Sequence, residues 1–460
     1  MPSPIFLHAI DGVQMENRNR ILISFLLVAI GIVLGVSSGL MAQSSSTAQA
    51  DGTIIEFDEY GTVWTDLTVS DYSSVIELLE AACTENGFDL VMDGDKVLSI
   101  NGIGSDGAWA LWVVYPDSTE WTTVDAPYNG DPSQYSITSW VYSEEDREPT
   151  VAVDYSGHPI YGFSQKYRVV SLSPTVTEIL YSVKASNIIV GADYYSDYPQ
   201  SIVEGKKNGS VTTVGTYTSP SFELITSTNP DMVVCDGSQS SHVQMAERLR
   251  SVGIDAVVIY PGEDVGQVED NIFIIGTVLQ YQMAAIEVID DTEYVLEQVR
   301  LRTSTEPVID TMVSLEPDIS PWVSGDGTFM NGLLAVAGAD NAFSDWYGWV
   351  HITSERIPAD IQAIVIITTE YKATQEEYDA LYNGLSAEWK KTDAWKNGDV
   401  FVICESAASM MQRSGPRIAQ GAELIGMMLH PDCFDADIPK IIGDDYRDYL
   451  QFSKDMGYDD

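Results

Sequence analysis

Aromatic side chains at the ends of β-branched runs are the residues of this sequence best suited to holding a ligand. The run "RVVSL" breaks at Ser173-Pro174, "NIIVGADYY" ends in Tyr194 and Tyr195, and later turns bring Tyr217, Trp322, Trp346, Tyr347 and Trp349, with Glu370 ending another run. Rings with few fixed charges stack well on a large, flat, partly apolar molecule. The carboxyl ends of strands in open α/β sheets are where such molecules sit. Any one ring could equally fill a core, but the clusters "YTSPSFE", "ISPWVSGDG" and "DWYGWVHITSE" point to a cleft. Two glutamates make a second candidate set. Glu223 in "SPSFELITSTNPDMVV" and Glu355 in "ITSERIPADIQAIVI" each follow cap-like residues, Ser221 in one case and Thr353-Ser354 in the other, and each opens a short helix before a buried strand. The plain alternative is a first-turn Glu that complements the helix dipole, worth about 0.3–1 kcal/mol.

Catalytic patterns are absent. There is no P-loop, no GxGxxG after a strand, no HExxH, no GxSxG and no CxxC, and the five histidines do not pair at ligand spacing. Carboxylates are too abundant for any pair to carry meaning. No catalytic residue, metal site or cofactor is therefore expected, and the chain is read as a binding protein rather than an enzyme. His351, beside Trp349, reads as a surface or hydrogen-bonded histidine. Cys83, Cys235, Cys404 and Cys433 are scattered; Cys404 and Cys433 could pair within one lobe, or all four could be buried free thiols. "NGS" at Asn208 is a candidate glycosylation site.

The elements that must position these residues fall into blocks. Residues 1–50 hold a basic flank with Arg18 and Arg20, an apolar run from Ile21 to Ala42 and a polar spacer, the pattern of an export signal or an uncleaved membrane anchor. Met15 is a more natural start than Met1. No Cys follows the run, which excludes bacterial-style lipidation at that point. Residues 51–145 carry alternating strand runs around one amphipathic helix, "SSVIELLEAACTENG", ending at Gly87, and predict a small α+β domain. A charged linker and lead-in hairpin occupy 146–167. From 168 to 269 strands of buried type alternate with helices, and a second such set fills 304–437. Between them, 270–303 is free of proline and predicts one long bridging helix, with a break at Asp290-Asp291 as the alternative. Residues 438–460 read as an acidic tail. The predicted fold is thus α/β, two doubly wound lobes bridged by a long helix, preceded by the small α+β domain and a hydrophobic N-terminal helix.

With 69 acidic against 23 basic residues the formal net charge is -46. Nucleic acid and anionic membrane surfaces are excluded as partners, since both require basic patches.

The segments "RVVSLSPTVTEILYSV", "VGADYYSDYP", "VGTYTSPSFELITSTNPDMVV", "WVSGDGTFMNGLLAVAGADNAF" and "ITSERIPADIQAIVI" resemble the periplasmic cobalamin and ferric-siderophore binding proteins of ABC importers. The resemblance spans about Tyr155 to Pro431. It implies two α/β lobes joined by one long helix, a ligand between the lobes, and little lobe movement because the helix resists hinging. It places Pro174, Tyr195, Tyr217, Thr218, Trp322 and Trp349 at the ligand, Tyr217 standing where the family has a Trp. Tyr195 is expected to face the ligand and Tyr194 to turn into the lobe. Glu223 and Glu355 match the two glutamates that dock onto permease arginines, one per lobe. The family's "SPRI"-like segment survives as Gly415 to Ile418, but its acidic ligand contacts are replaced by Ser409, Met410 and Gln412. Residues 51–145 also resemble the β-grasp-like domain at the C-terminus of transcobalamin.

Together these imply an exported binding protein that captures a corrinoid of the cobalamin type, partnered with ABC permease subunits and held at the membrane by residues 21–42. Haem or a ferric siderophore, a surface interaction protein with a vestigial cleft, and an exported enzyme are the alternatives.

Overall fold

The computed structural model describes residues 52–57, 62–94, 96–104, 109–115, 121–135, 137–142, 149, 153–158, 160, 166–317, 319–454 and 456. The apolar run 21–42 and most of the linker 146–167 lie outside the described residues. Among the described residues no helix is long and apolar enough to cross a membrane. The chain divides into two compact units, Met1–Tyr167 with Gly276–Met283, and Arg168–Ile275 with Ala284–Asp460.

In the first unit, strands β1 (Gly52–Glu56), β2 (Thr62–Asp66), β5 (Trp109–Val114), β6 (Thr122–Val124) and β7 (Ile137–Tyr142) form one sheet in the order β2-β1-β7-β5-β6. β1 runs antiparallel to β2 and parallel to β7. A separate hairpin pairs β3 (Leu90–Asp93) with β4 (Lys96–Ile100). Helix α1 (Val75–Asn86) falls where the sequence predicts: Ser74 Oγ accepts from the Glu77 N–H, and the Glu77 carboxylate accepts from Ser73 N–H at 2.8 Å. This reciprocal cap satisfies donors the first turn leaves open. Gly87, at φ 68, ends the helix in the left-handed region. Its apolar face, Val75, Leu79, Ala82 and Cys83, packs with Leu111, Val113 and Trp140 of the sheet.

In the second unit, the N-lobe sheet is fully parallel in the order β10-β9-β8-β13-β14. Its strands are β8 (Val169–Ser171), β9 (Ile189–Ala192), β10 (Thr212–Thr213), β13 (Met232–Asp236) and β14 (Asp255–Ile259). Helices α2 (Pro174–Ser182), α3 (Gln200–Asn208), α4 (Phe222–Ser227) and α5 (Ser240–Arg250) connect them, and β11 (Gly215–Thr216) with β12 (Ser219–Pro220) forms a small hairpin. Strands such as β13 are buried along their whole length, which is why they read as unbroken apolar runs.

The C-lobe sheet runs β18-β16-β15-β19-β20-β21, with β17 also on β15. Here β15 (Ile309–Leu315), β19 (Ala363–Ile367) and β20 (Val400–Ile403) are parallel neighbours, as their sequences predict. Beside them lie β16 (Trp322–Ser324), β17 (Ala339–Asn341), β18 (Trp349–His351) and β21 (Ile441–Ile442), with helices α8 (Phe329–Val336), α9 (Gln375–Gly384), α10 (Asp393–Asn397), α11 (Glu405–Met411) and α12 (Ile418–Leu429). β16 is antiparallel to both β15 and β18. β16 and β18 are each three residues long, too short to show a period, and the sequence did not predict them.

Two expectations are corrected. Residues 270–303 form not one helix but parts of two, α6 (Val265–Val278) and α7 (Gln282–Thr303). The break comes at Gln280, at φ 62, where Tyr281 N–H donates to Gly276 O at 2.7 Å, a helix-ending bond, while Asp290 and Asp291 lie inside α7. At about 1.5 Å per residue α7 alone spans roughly 33 Å. It remains the connector: Lys184, after α2, bonds Glu287 at 2.6 Å, and Thr303 bonds the Val336 carbonyl at 3.3 Å in the other lobe.

The described residues of the C-terminal segment, 438–454 and 456, are also no free tail. β21 adds to the sheet in parallel with β20, and Tyr446, Leu450 and Ser453 are buried. The buried Glu423 carboxylate on α12 anchors the end, accepting from the N–H groups of Gln451, Phe452 and Ser453. All four cysteines are free.

Candidate functional site

On the N-lobe the site is built from turns that leave strand ends. Ser173 caps α2 by accepting from Val176 N–H, which sets Pro174 at the first helical position, half-buried. After β9 the chain turns at Asp193, whose buried carboxylate accepts from Tyr195 N–H at 2.8 Å and from the Ser196 hydroxyl. The polar groups of this turn point inward and its rings outward: Tyr194 is 65% exposed and Tyr195 54%, edge to face at 5.2 Å. Tyr194 therefore does not turn into the lobe, as the sequence reading had it.

Tyr217 and Thr218 form the two-residue loop of the β11–β12 hairpin. Gly215 is required there: at φ 121, an added Cβ would lie 2.6 Å from Ser219 O. The Gly215 carbonyl accepts from Tyr194 N–H at 2.8 Å, so the two tyrosine-bearing turns are tied together. Tyr217 is half-buried, its hydroxyl 2.6 Å from Ser238 Oγ, and Thr218 is exposed. Burial, with the Asp236 charge, pushes the Tyr217 phenol up and keeps it neutral. Beneath it lies buried His242. Its Nδ1 accepts from Asp236 N–H at 3.1 Å, which leaves Nε2–H to donate to Tyr217 O at 2.7 Å. Burial lowers the pKa of this imidazole, consistent with the neutral tautomer.

On the C-lobe the register decides which groups share a face. Trp322 pairs with His351 and Ser324 with Trp349, so these four side chains stand on one side of β16 and β18, while Val323 between them is buried. Trp322, 48% exposed, stacks on His351 at 5.1 Å, and Arg356 lies over the ring of Trp346 at 5.4 Å.

Both aromatic sets border the boundary between the lobes. Arg413, after α11, donates to Tyr195 O at 3.4 Å, and Tyr347, two residues before Trp349, donates to Glu263 of the N-lobe at 2.8 Å. No ring contact joins the tyrosines to Trp322 or Trp349 among the described residues. Of the substituted positions, Met410 is buried in the lobe and cannot face a ligand, Ser409 is half-buried and Gln412 exposed; Glu370 is exposed.

The residues that the sequence reading missed hold this boundary. Glu178, fully enclosed on α2, accepts from Arg413 at 2.7 Å and from Arg417 at 2.8 and 2.6 Å. Burial would raise its carboxyl, but the two guanidinium groups outweigh that and hold it below the usual range. Arg413 also reaches Asp197 at 2.6 Å, and Arg417 lies 4.2 Å over the ring of Tyr198. The available signal was the one charged side chain of "PTVTEILYS", a helix buried over most of its length, where an unpaired charge would be too costly.

Glu223 and Glu355 differ in setting. Glu223 opens α4, capped by Ser221, and is exposed 3.9 Å from Arg248. Glu355 lies in a single 3-10 turn, Ser354–Arg356, which Thr353 does not cap through its side chain, so the expected matching helix is corrected. Pro358 explains this, because it forces Ile357 into extended backbone at ψ 118. Glu355 borders an open cavity of about 390 Å³ shared with Ile319 and Glu388.

Two α/β lobes, one with a parallel sheet and one with a mixed sheet, joined by one connecting helix and with aromatic groups at their boundary, define a two-lobed solute-binding architecture. Residues 169–407, more than half of the 460, match the family described as "Periplasmic binding protein", and the chain belongs to it. It is similar, at 26% identity over 293 residues, to the uncharacterized ABC transporter substrate-binding lipoprotein YvrC of Bacillus subtilis, over 62% of this chain and 87% of that protein. Among solved structures, a periplasmic heme binding protein from Pseudomonas aeruginosa aligns with TM-score 0.50 and 19% identity, covering 58% of this chain and 93% of that one. The periplasmic vitamin B12 binding protein of Vibrio cholerae aligns with TM-score 0.47 and 20% identity, over 57% and 96%. At the identity of the first of these, the likeness is one of fold.

Proposed function

We propose that the chain is the extracytoplasmic substrate-binding component of an ABC importer and that it captures a corrinoid between its lobes. One observation carries the ligand class. The cations nearest the aromatic surface are already engaged, Arg413 by Glu178 and Asp197, Lys206 by backbone carbonyls and Arg356 by the ring of Trp346. What remains for a ligand is phenol, indole, imidazole and hydroxyl groups. Such a surface suits a large macrocycle with neutral amide side chains and disfavours a haem with free propionates or an anionic siderophore. Tyr195, Tyr217 and Thr218 contact one side, Trp322 and Trp349 the other, and Pro174 closes one edge.

Titration with cyanocobalamin, dicyanocobinamide, haemin and a ferric hydroxamate, followed by Trp fluorescence, tests the ligand. Binding of the two corrinoids alone is expected, and silence toward both sinks the reading.

Glu223 and Glu355 dock onto basic sockets of two permease subunits. Residues 21–42 tether the exported protein, and the α+β unit, which resembles the transcobalamin β-grasp-like domain, serves the same corrinoid. Replacing Glu223 and Glu355 together by Ala is expected to impair uptake in cells and leave corrinoid affinity unchanged. Equal loss of both would place the two glutamates in the ligand site instead.

A further inference from the structure

We infer that Lys206, a residue with no assigned part in binding, is a positioning residue that fixes the two exposed tyrosines for the ligand. The inference rests on the reading that Tyr195 touches the ligand. Lys206 lies in the last turn of α3, half-buried, and its ammonium donates to the carbonyls of Asp193 at 3.0 Å, Tyr194 at 3.0 Å and Ser196. An ammonium has three donors and no acceptor, so all three are spent on one turn. Carbonyls that converge on one cation cannot turn toward water, and the chain between them must curl around it. The Asp193 carboxylate holds the same turn through Tyr195 N–H and the Ser196 hydroxyl. With these carbonyls and the Asp193 carboxylate drawn inward, the rings of Tyr194 and Tyr195 stand outward, edge to face.

Burial lowers the pKa of Lys206 although Asp193 and Asp197 oppose the shift, as expected for an ammonium given up by solvent to protein carbonyls. Arg413 grips the Tyr195 carbonyl from the other lobe at 3.4 Å. The turn is thus held from below by its own lobe and from across the boundary by the partner lobe. Neighbouring Lys207 is exposed and supplies a control of the same charge.

Two measurements on the full chain in dodecyl maltoside decide it. In the ligand-free protein, Lys206→Met is expected to speed amide hydrogen exchange of residues 193–198 by about tenfold while other segments keep their rates, and Lys207→Met to change nothing. Unchanged exchange in that turn overturns the inference, whatever the ligand proves to be.

With dicyanocobinamide, Lys206→Met is expected to raise Kd about tenfold in the wild-type background and less than about twofold in Tyr195→Ala, because the lysine acts through the tyrosine. Lys206→Arg, which keeps the charge, is expected to recover part of the loss. Full additivity of the two substitutions, or a lowered melting temperature with unchanged Kd, assigns Lys206 a purely structural role and overturns it. Failure of the wild-type protein to bind corrinoids sinks the ligand class and leaves the exchange experiment to decide the lysine.

Discussion

His242 shows how one side chain sets the turn that carries Tyr217. Its ring bridges Asp236 N–H and the Tyr217 carbonyl, and only the neutral form can accept at Nδ1. Burial lowers its pKa from the ordinary 6.5, and the charges of Asp236 and Asp193 only partly offset this. The unfolded chain therefore takes up the proton before the folded one. The stability that His242 contributes is complete above pH about 6.5 and is lost as pH falls through the lower folded value. Thermal unfolding compared at pH 7.5 and pH 5 checks this. Wild type is expected to lose more stability on acidification than His242→Gln, whose amide is uncharged at both. Equal losses would mean that the imidazole is not neutral in the fold.

At the scale of elements, the α6–α7 hairpin carries a conflict of like charges. Glu269 on α6 is buried, hydrogen-bonded to Glu293 on α7, and one of its oxygens has no partner among the described residues. Burial first, then Glu293 and Asp270, raise its carboxyl well above the usual 4.5, against a weaker pull from Arg300. The folded state holds a proton that the unfolded state releases. Its contribution is thus intact below pH about 4.5 and declines as pH rises toward the folded value. Glu269→Gln mimics the protonated form and is expected to raise the melting temperature at pH 8 with little change at pH 4. A variant equally stabilising at both pH values would exclude the shared proton.

The same hairpin marks where sequence reading ran out. Gln280 takes the left-handed conformation without being Gly or Asn, so the run from 270 to 303 shows no stop signal, and a long helix was the natural reading. By contrast the end of α1 was legible, because Gly87 carries a cap in its chemistry. The parallel strands were legible from their unbroken apolar runs. Trp322 and Trp349 read as turn residues, because the three-residue strands that carry them have no period to read. Arg413 and Lys206 were missed for a different reason: their partners are distant in sequence or are backbone carbonyls, which no local pattern encodes.

For the whole molecule, the central question is what holds two lobes in one relation. The expected answer was a single helical strut. The structure supplies a shorter α7 and, in addition, the enclosed cluster in which Glu178 of the N-lobe meets Arg413 and Arg417 of the C-lobe. A buried ion pair contributes little net stability compared with apolar packing, yet removing one partner leaves uncompensated charge and costs about 3–5 kcal/mol. Glu178→Gln keeps the shape but leaves Arg417 without its carboxylate, while Arg413 retains Asp197. It is expected to lower the urea midpoint by an amount in that range and to widen the protein in solution scattering as the lobes part. Glu178→Leu combined with Arg417→Met, apolar on both sides, is expected to regain much of the stability, because no orphaned charge remains there. If instead the single variant keeps both the wild-type midpoint and the wild-type radius of gyration, the connecting helix suffices and the cluster does not set the lobe relation. Loss of stability with an unchanged radius would assign the cluster to packing alone.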